Sequence, residues 1–237
     1  MFKKFIILLV VSATSFSAVA LSAKKVLEQV QENYANLNAF EADLTYQLFR
    51  GHDSEKVIES FNSLHCKNES GEYRKVSNTE FITVSSLGVS VQVNHNDRLI
   101  LLSNPTNSDL VDASLKSSLS YCNDTYAVET KEGTDVTLLF NKMVQLPFSK
   151  VVVSLTKDNW ISSLTLCYSS EQNFSKDFYH QDYDQVKMKI TYDDFKTKYK
   201  DKESLIDVSK YLTIVDGNFQ TTTLYQDYKL LDYRTRK

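Results

Sequence analysis

Two pairs of closely spaced carboxylates, Asp182/Asp184 and Asp193/Asp194, are the residues of this chain best spaced to do chemistry. Such pairs could bind calcium or divide the acid and base roles of glycoside hydrolysis. Their setting supports neither use. A calcium loop alternates its ligands around a central glycine, and no glycine stands among these acids. On a polar strand face or a turn, paired acids are ordinarily solvated. His52, His65, His95 and His180 lie far apart and form no HxxxH or HExxH metal spacing. There is no GxSxG elbow and no glycine-rich phosphate loop. Cys66, Cys122 and Cys167 form no CxxC motif. One disulfide with a thiol left over, or three buried apolar thiols, both fit that spacing, the second more simply. The tyrosines at 225, 228 and 233 offer sugar-stacking rings, or only edge packing for a sheet. No catalytic residue, metal site or cofactor is assigned on this evidence, and an enzyme is the weakest class.

The elements that would position any site are strands with one apolar face. Phe40, Ala42, Leu44, Tyr46 and Leu48 alternate with Glu41, Asp43, Thr45 and Gln47. The same beat returns at Val89/Val91/Val93, Val136/Leu138/Phe140, Val151/Val153/Leu155, Leu164/Leu166/Tyr168 and Val186/Met188/Ile190/Tyr192. Period two turns successive side chains to opposite faces, so each strand is half apolar and half polar. Short polar turns such as Leu87-Gly88, residues 94–97, Glu132-Gly133 and residues 157–159 divide the strands and predict an antiparallel meander. Residues 171–182 read as a polar loop. After residue 205 only short edge segments are expected.

Two helices are predicted. Ser22 caps the first, whose Val26, Leu27, Val30, Tyr34 and Leu37 form a stripe that must cover a sheet. Ser108 caps the second, over residues 107–119, with Leu110, Val111 and Leu115 on one side. It interrupts the strands midway and suits a lid. Before the first helix, Lys3-Lys4, an apolar run over residues 5–11 and Ala18-Val19-Ala20 make a secretory signal. Cleavage is expected after Ala20 or Ala23, with no cysteine near the cut to carry a lipid anchor. That leaves one domain, residues 21–237. Loss of the two lysines takes the formal charge from −3 to −5. A mildly acidic chain is a poor partner for nucleic acid or anionic headgroups. Five glycines and two prolines leave no room for long linkers.

The helix KVLEQVQENYANLNAF running straight into the strand EADLTYQLFRGH, residues 25–52, resembles the opening of the LolA-type periplasmic carriers of outer-membrane lipoproteins. The tail, DVSKYL followed by LYQDYKLLDYR, is similar to that family's closing strands. Gly71-Glu72-Tyr73-Arg74-Lys75 is the nearest match to its early aromatic and arginine segment, without the proline and tryptophan of many relatives. The resemblance implies an incomplete, strongly curved antiparallel β-barrel of mixed α+β class, covered by the N-terminal helix and a short lid helix. It also implies a monomeric periplasmic chaperone, loaded by an inner-membrane transporter and relieved of its cargo by an outer-membrane receptor. Arg74 would help to hold the lid shut.

The alternation leads to a similar expectation by itself, because it supplies more inward apolar surface than two short helices can cover. An acyl-chain cavity is therefore expected, walled by Leu44, Tyr46, Leu48, Val91, Val93, Leu164 and Leu166 and lidded by Leu110, Val111 and Leu115. Burying ~10 methylenes at ~0.8 kcal/mol each gives ~8 kcal/mol before ordering costs, a roughly micromolar hold. Two other classes stay open. One is an RseB-like lipid sensor or adaptor. The other is a scaffold whose core is filled.

Overall fold

A computed structural model describes residues 22–76, 81–105, 121–140, 146–175, 177, 179–199 and 205–234. Helix α1, Ala23–Ala35, follows Ser22 and buries Ala23, Val26, Leu27 and Val30 along one face. Asn36 ends it, and the chain enters β1 (Phe40–Arg50). Five strands follow on one side: β2 (Val57–Lys67), β3 (Tyr73–Val76), β4 (Phe81–Ser86), β5 (Val89–Asn94) and β6 (Leu99–Ser103). The second group is β7 (Cys122–Glu129), β8 (Gly133–Phe140), β9 (Phe148–Thr156), β10 (Ile161–Asn173) and β11 (Tyr183–Lys196). A turn of 3-10 helix at Val208–Lys210 leads to the hairpin β12 (Leu212–Val215) and β13 (Asn218–Thr221), a second such turn at Thr223–Tyr225, and β14 (Lys229–Asp232).

Twelve strands form one open sheet in the order β14-β6-β5-β4-β3-β2-β1-β11-β10-β9-β8-β7. It is two antiparallel meanders joined where β1 pairs with β11, as short polar turns between alternating strands dictate. The fold is mainly β with a helix, a large curved sheet that does not close. One pairing departs from the expected antiparallel rule: β14 lies parallel to β6 at the sheet's edge, after Val208, Tyr211 and Leu212 have packed on the outer face of β4, β5 and β6. Strand β10 also runs on to Asn173, shortening the expected loop. The predicted second helix, residues 107–119, lies outside the described residues, as does the leader.

Register assigns every side chain to a face, since directly paired residues point the same way. From Leu44 the pairs run to Tyr192 on β11, and from Tyr46 and Leu48 to Ile190 and Met188. They continue through Leu164 and Leu166 on β10 to Val153 and Val151 on β9, then Val136 and Leu138 on β8. This is the inner face, on which α1 packs. The first core lies here: Val26, Leu27, Val30, Ala42, Leu44, Val136, Leu138, Val151, Val153 and Leu155 are all buried.

The same bookkeeping carried toward β6 gives a different result. Ala42 pairs with His65, His65 with Lys75, Lys75 with Thr83, and Thr83 with Gln92. The inner positions of β3, β4 and β5 are therefore mostly polar, with Tyr73 and Phe81 as exceptions, and β6 turns Leu99 and Leu101 inward. Val84, Val91, Val93, Ile100 and Leu102 point to the outer face. There they form a second core with Val208, Tyr211 and Leu212. A hydrogen bond from the Val208 amide to Ser86 Oγ at 3.4 Å fixes the C-terminal segment across that face. The expected placement of Val91 and Val93 beside Leu44 is thus corrected. They belong to a filled outer core, 0% and 1% exposed.

Candidate functional site

The inner face is not covered evenly. Helix α1 seals the β7–β8 side, and its Tyr34 anchors one end. The Tyr34 hydroxyl accepts from the Ile161 amide at 3.1 Å, and its ring meets Trp160 and Phe195 at 5.3 and 5.8 Å. Burial pushes the Tyr34 phenol up to about 12, so it stays neutral and acts as packing. Away from the helix, apolar side chains emerge half-buried. Tyr46 and Phe61 stack at 4.7 Å with planes 8° apart. Leu48 and Met188 pair across β1 and β11, Leu164 sits beside Ile190, and Phe148 meets Tyr168 edge-on at 5.0 Å. Together these residues make an apolar floor spanning β2, β1, β11, β10 and β9.

The expected wall residues divide by burial. Tyr46, Leu48 and Leu164 lie half-buried on the floor, whereas Leu44 and Leu166 sink into the core at 4% and 7% exposure. Arg74 is not at the floor. It pairs with Val84 and Cys66, which turns it to the outer face, where its charge acts on Tyr211 and Tyr225. An arginine there cannot hold a lid on the inner face. Leu110, Val111 and Leu115 lie outside the described residues. Phe61 escapes a sequence reading because β2 alternates poorly, and a single ring among polar neighbours gives no periodic signal. Only pairing with Tyr46 reveals its role.

The groups that first suggested chemistry have other work. Arg50 donates from Nη1 to Asp182 at 2.8 Å and from Nε to Asp184 at 3.1 Å, clamping the β10–β11 loop to the end of β1. That hydrogen bonding holds the Asp182 carboxyl below its ordinary range. Asp194 pairs with Lys196 at 2.6 Å on the polar outer face, and Asp193 accepts from the Thr45 hydroxyl. His52 Nε2 donates to the Tyr168 carbonyl at 2.9 Å, and His95 Nδ1 lies 2.8 Å from the Tyr228 hydroxyl. Among the described residues no three His, Cys, Asp or Glu side chains converge to hold a metal. Cys66 and Cys167 are buried and Cys122 is half-buried, all three as thiols.

His65 differs from the other histidines. It is 4% exposed on the inner face, with the Phe40 ring edge-on at 5.0 Å and Tyr73 at 6.4 Å. Burial first, then the charges of Lys75 and Lys67, lower its pKa to about 3. Above pH ~6.5 neither folded nor unfolded chain holds this proton. Between pH ~6.5 and ~3 the unfolded chain binds it and the folded chain does not, so stability falls as pH falls. Wild type should lose about 2 kcal/mol more than His65→Gln between pH 7 and pH 5 in urea unfolding. Equal losses would show that His65 takes up its proton without unfolding.

No protein-family profile and no curated protein matches this sequence. Solved structures do match. An uncharacterized conserved protein from Thermus thermophilus is 10% identical, covers 89% of this chain and 98% of its own, with a TM-score of 0.46. The lipoprotein LppX of Mycobacterium tuberculosis is 12% identical, covers 71% and 92%, with a TM-score of 0.40. A LolA superfamily protein from Nitrosomonas europaea is 10% identical, covers 79% and 97%, with a TM-score of 0.25. Likeness this remote says nothing about activity.

Proposed function

We propose that this protein is an exported carrier that shields the acyl chains of a lipid or lipoprotein on the inner face of its sheet, without covalent chemistry. One observation carries the reading: the floor of Tyr46, Leu48, Phe61, Leu164 and Met188 is only partly buried although it continues a buried core. A contiguous apolar surface left in water is unfavourable by about 25 cal/mol per Å², and in soluble proteins it marks a binding site. Acyl chains suit it because the floor itself is made of rings and aliphatic chains, and the charges on its face, exposed Glu59 beside Leu48 and Arg50 paired with Asp182, border it at one end. The LolA-type resemblance supplies the setting: the periplasm, a membrane transporter that loads the carrier and a receptor that unloads it.

Binding of a fluorescent fatty acid tests this. Leu48→Glu and Leu164→Glu place a charge on the floor at positions that already meet water. Each should weaken binding at least about tenfold while the far-ultraviolet circular dichroism stays native. Leu166→Glu is the contrast, since it buries the charge in the core and should unfold the chain. Unchanged affinity in both floor variants, or a wild type that binds no fatty acid, would point to a scaffold and end the proposal.

A further inference from the structure

The floor is not hydrocarbon throughout. Tyr46 pairs with Ile190 and Leu44 with Tyr192, so Tyr46 and Tyr192 are diagonal neighbours on the inner face, a spacing that aromatic side chains span. Both are partly buried. The Tyr46 ring is held by its stack on Phe61 at 4.7 Å. Tyr192 packs with Tyr34 against the core beneath α1. Tyr34 uses its hydroxyl to accept from the Ile161 amide, whereas the hydroxyls of Tyr46 and Tyr192 have no hydrogen-bond partner among the described residues. Burial raises the pKa of both phenols, and the neighbouring Tyr34 and Tyr46 raise that of Tyr192 further, so each keeps its proton and stays a donor. Where the floor meets water, water satisfies them. A saturated chain laid over the pair would strip that water and bring no acceptor, and a phenol hydroxyl buried without a partner is unfavourable. Cargo that covers this end of the floor must therefore bring an oxygen.

We infer that Tyr46 and Tyr192 seat the carbonyl oxygen of an acyl linkage, ester or amide, by donating their hydroxyl protons to it. The inference rests on the acyl-carrier reading and names the part of the cargo next to its hydrocarbon. A neutral acceptor suits the pair better than a carboxylate, whose charge would need a cation beside it. On this face Arg50 is bound to Asp182 and Asp184, and stands with Glu59 at the far end beyond Leu48. Lys67 lies beside Phe40, and Lys75 lies across His65 from Ala42, both on other pairing rows than Tyr46 and Tyr192. From the seat the chain runs along the floor over Leu48 and Met188. Tyr168, the floor's other phenol, lies past the Leu166–Met188 pair beside Phe148, away from the seat.

The test sets methyl laurate against dodecyl methyl ether as competitors for a bound fluorescent fatty acid, with N-methyldodecanamide as a third. Ester and ether differ only by a carbonyl oxygen in place of two hydrogens. Wild type should favour the ester about five- to tenfold, the size of one net hydrogen bond. Tyr46→Phe and Tyr192→Phe keep both rings, and together they should bring ester and ether to within about twofold. Tyr34→Phe should keep the preference, because the Tyr34 hydroxyl serves the Ile161 amide. Of ester and amide, the one whose advantage over the ether falls further in the double variant is the linkage carried. Equal affinities for all three in wild type, or a preference that survives the double variant, overturn this inference and leave the carrier reading standing. If the fatty acid binds and none of the three displaces it, the carbonyl seat is overturned; if the fatty acid itself fails to bind, the carrier reading goes too.

Discussion

Gly133→Ala should destabilise the protein by about 3 kcal/mol or more, the largest loss expected from adding one methyl group anywhere in the described sheet. Gly133 opens β8 and pairs with Thr156 on β9. A Cβ there would lie 1.9 Å from the Leu155 carbonyl oxygen and 2.7 Å from the Thr156 carbonyl carbon, both backbone atoms. Neither can step aside like the end of a flexible side chain. Moving them breaks the β8–β9 ladder that carries Val136, Leu138, Val151 and Val153, four of the most buried residues of the inner core. The turn is also tied through Gly133, whose amide donates to Thr130 Oγ1 at 3.1 Å and whose carbonyl accepts from the Thr130 amide at 2.8 Å. Gly88→Ala is the control. Gly88 has φ +74° but open space around its would-be Cβ, so it should lose only the ~1–2 kcal/mol of a left-handed residue. Urea unfolding of the three proteins separates the contributions. Similar losses for both variants would mean that β9 yields, and that the close approach is not a constraint.

The strands themselves were plain in the sequence. Strict alternation in β1, β5, β8, β9, β10 and β11 located them to within a few residues, and the Glu132-Gly133 turn was legible as a turn. Its second role, letting the β9 backbone approach, was not, because nothing local to residue 133 mentions Leu155. The more consequential loss concerned faces. Alternation shows that Val89, Val91 and Val93 share a side, but only interstrand register shows that this side is opposite to Leu44. A signal was present. In Val89-Ser90-Val91 and Val84-Ser85-Ser86 small serines sit between or beside valines, and all six prove buried. A strand that hides both faces needs cover on both. The excess apolar residues of the tail, Ile206, Val208, Tyr211 and Leu212, were the available cover. Read as edge segments, they left Val91 without a partner on the outer face and drew it inward. The β12–β13 hairpin turns at Asp216-Gly217, with φ +51° and +78°, where the edge-segment reading had placed no hairpin.

If the inner floor binds cargo as proposed, separation of the two faces makes stability and binding respond to different residues, and Leu102→Ala should expose that separation. Leu102 is fully buried in the outer core, pairing with Val91 on one side and Asp232 on the other, and its carbonyl accepts from the Tyr233 amide at 2.8 Å. Truncation removes three carbons and leaves a cavity beneath the C-terminal segment, a loss of about 3 kcal/mol. Because the damage lies where β14 and the Val208–Tyr211 turn seat on the sheet, amide exchange should rise first over residues 205–233. Domains of this size have a few kcal/mol to spare, so the variant should stay folded at moderate temperature. Under those conditions fatty acid affinity should match wild type, since Tyr46, Leu48 and Leu164 lie on the other face with their own core intact. Leu164→Glu should behave in the reverse way, with stability nearly kept and affinity lost. If Leu102→Ala stays folded and loses its fatty acid, the ligand touches the outer core, and the assignment of cargo to the inner floor fails with it.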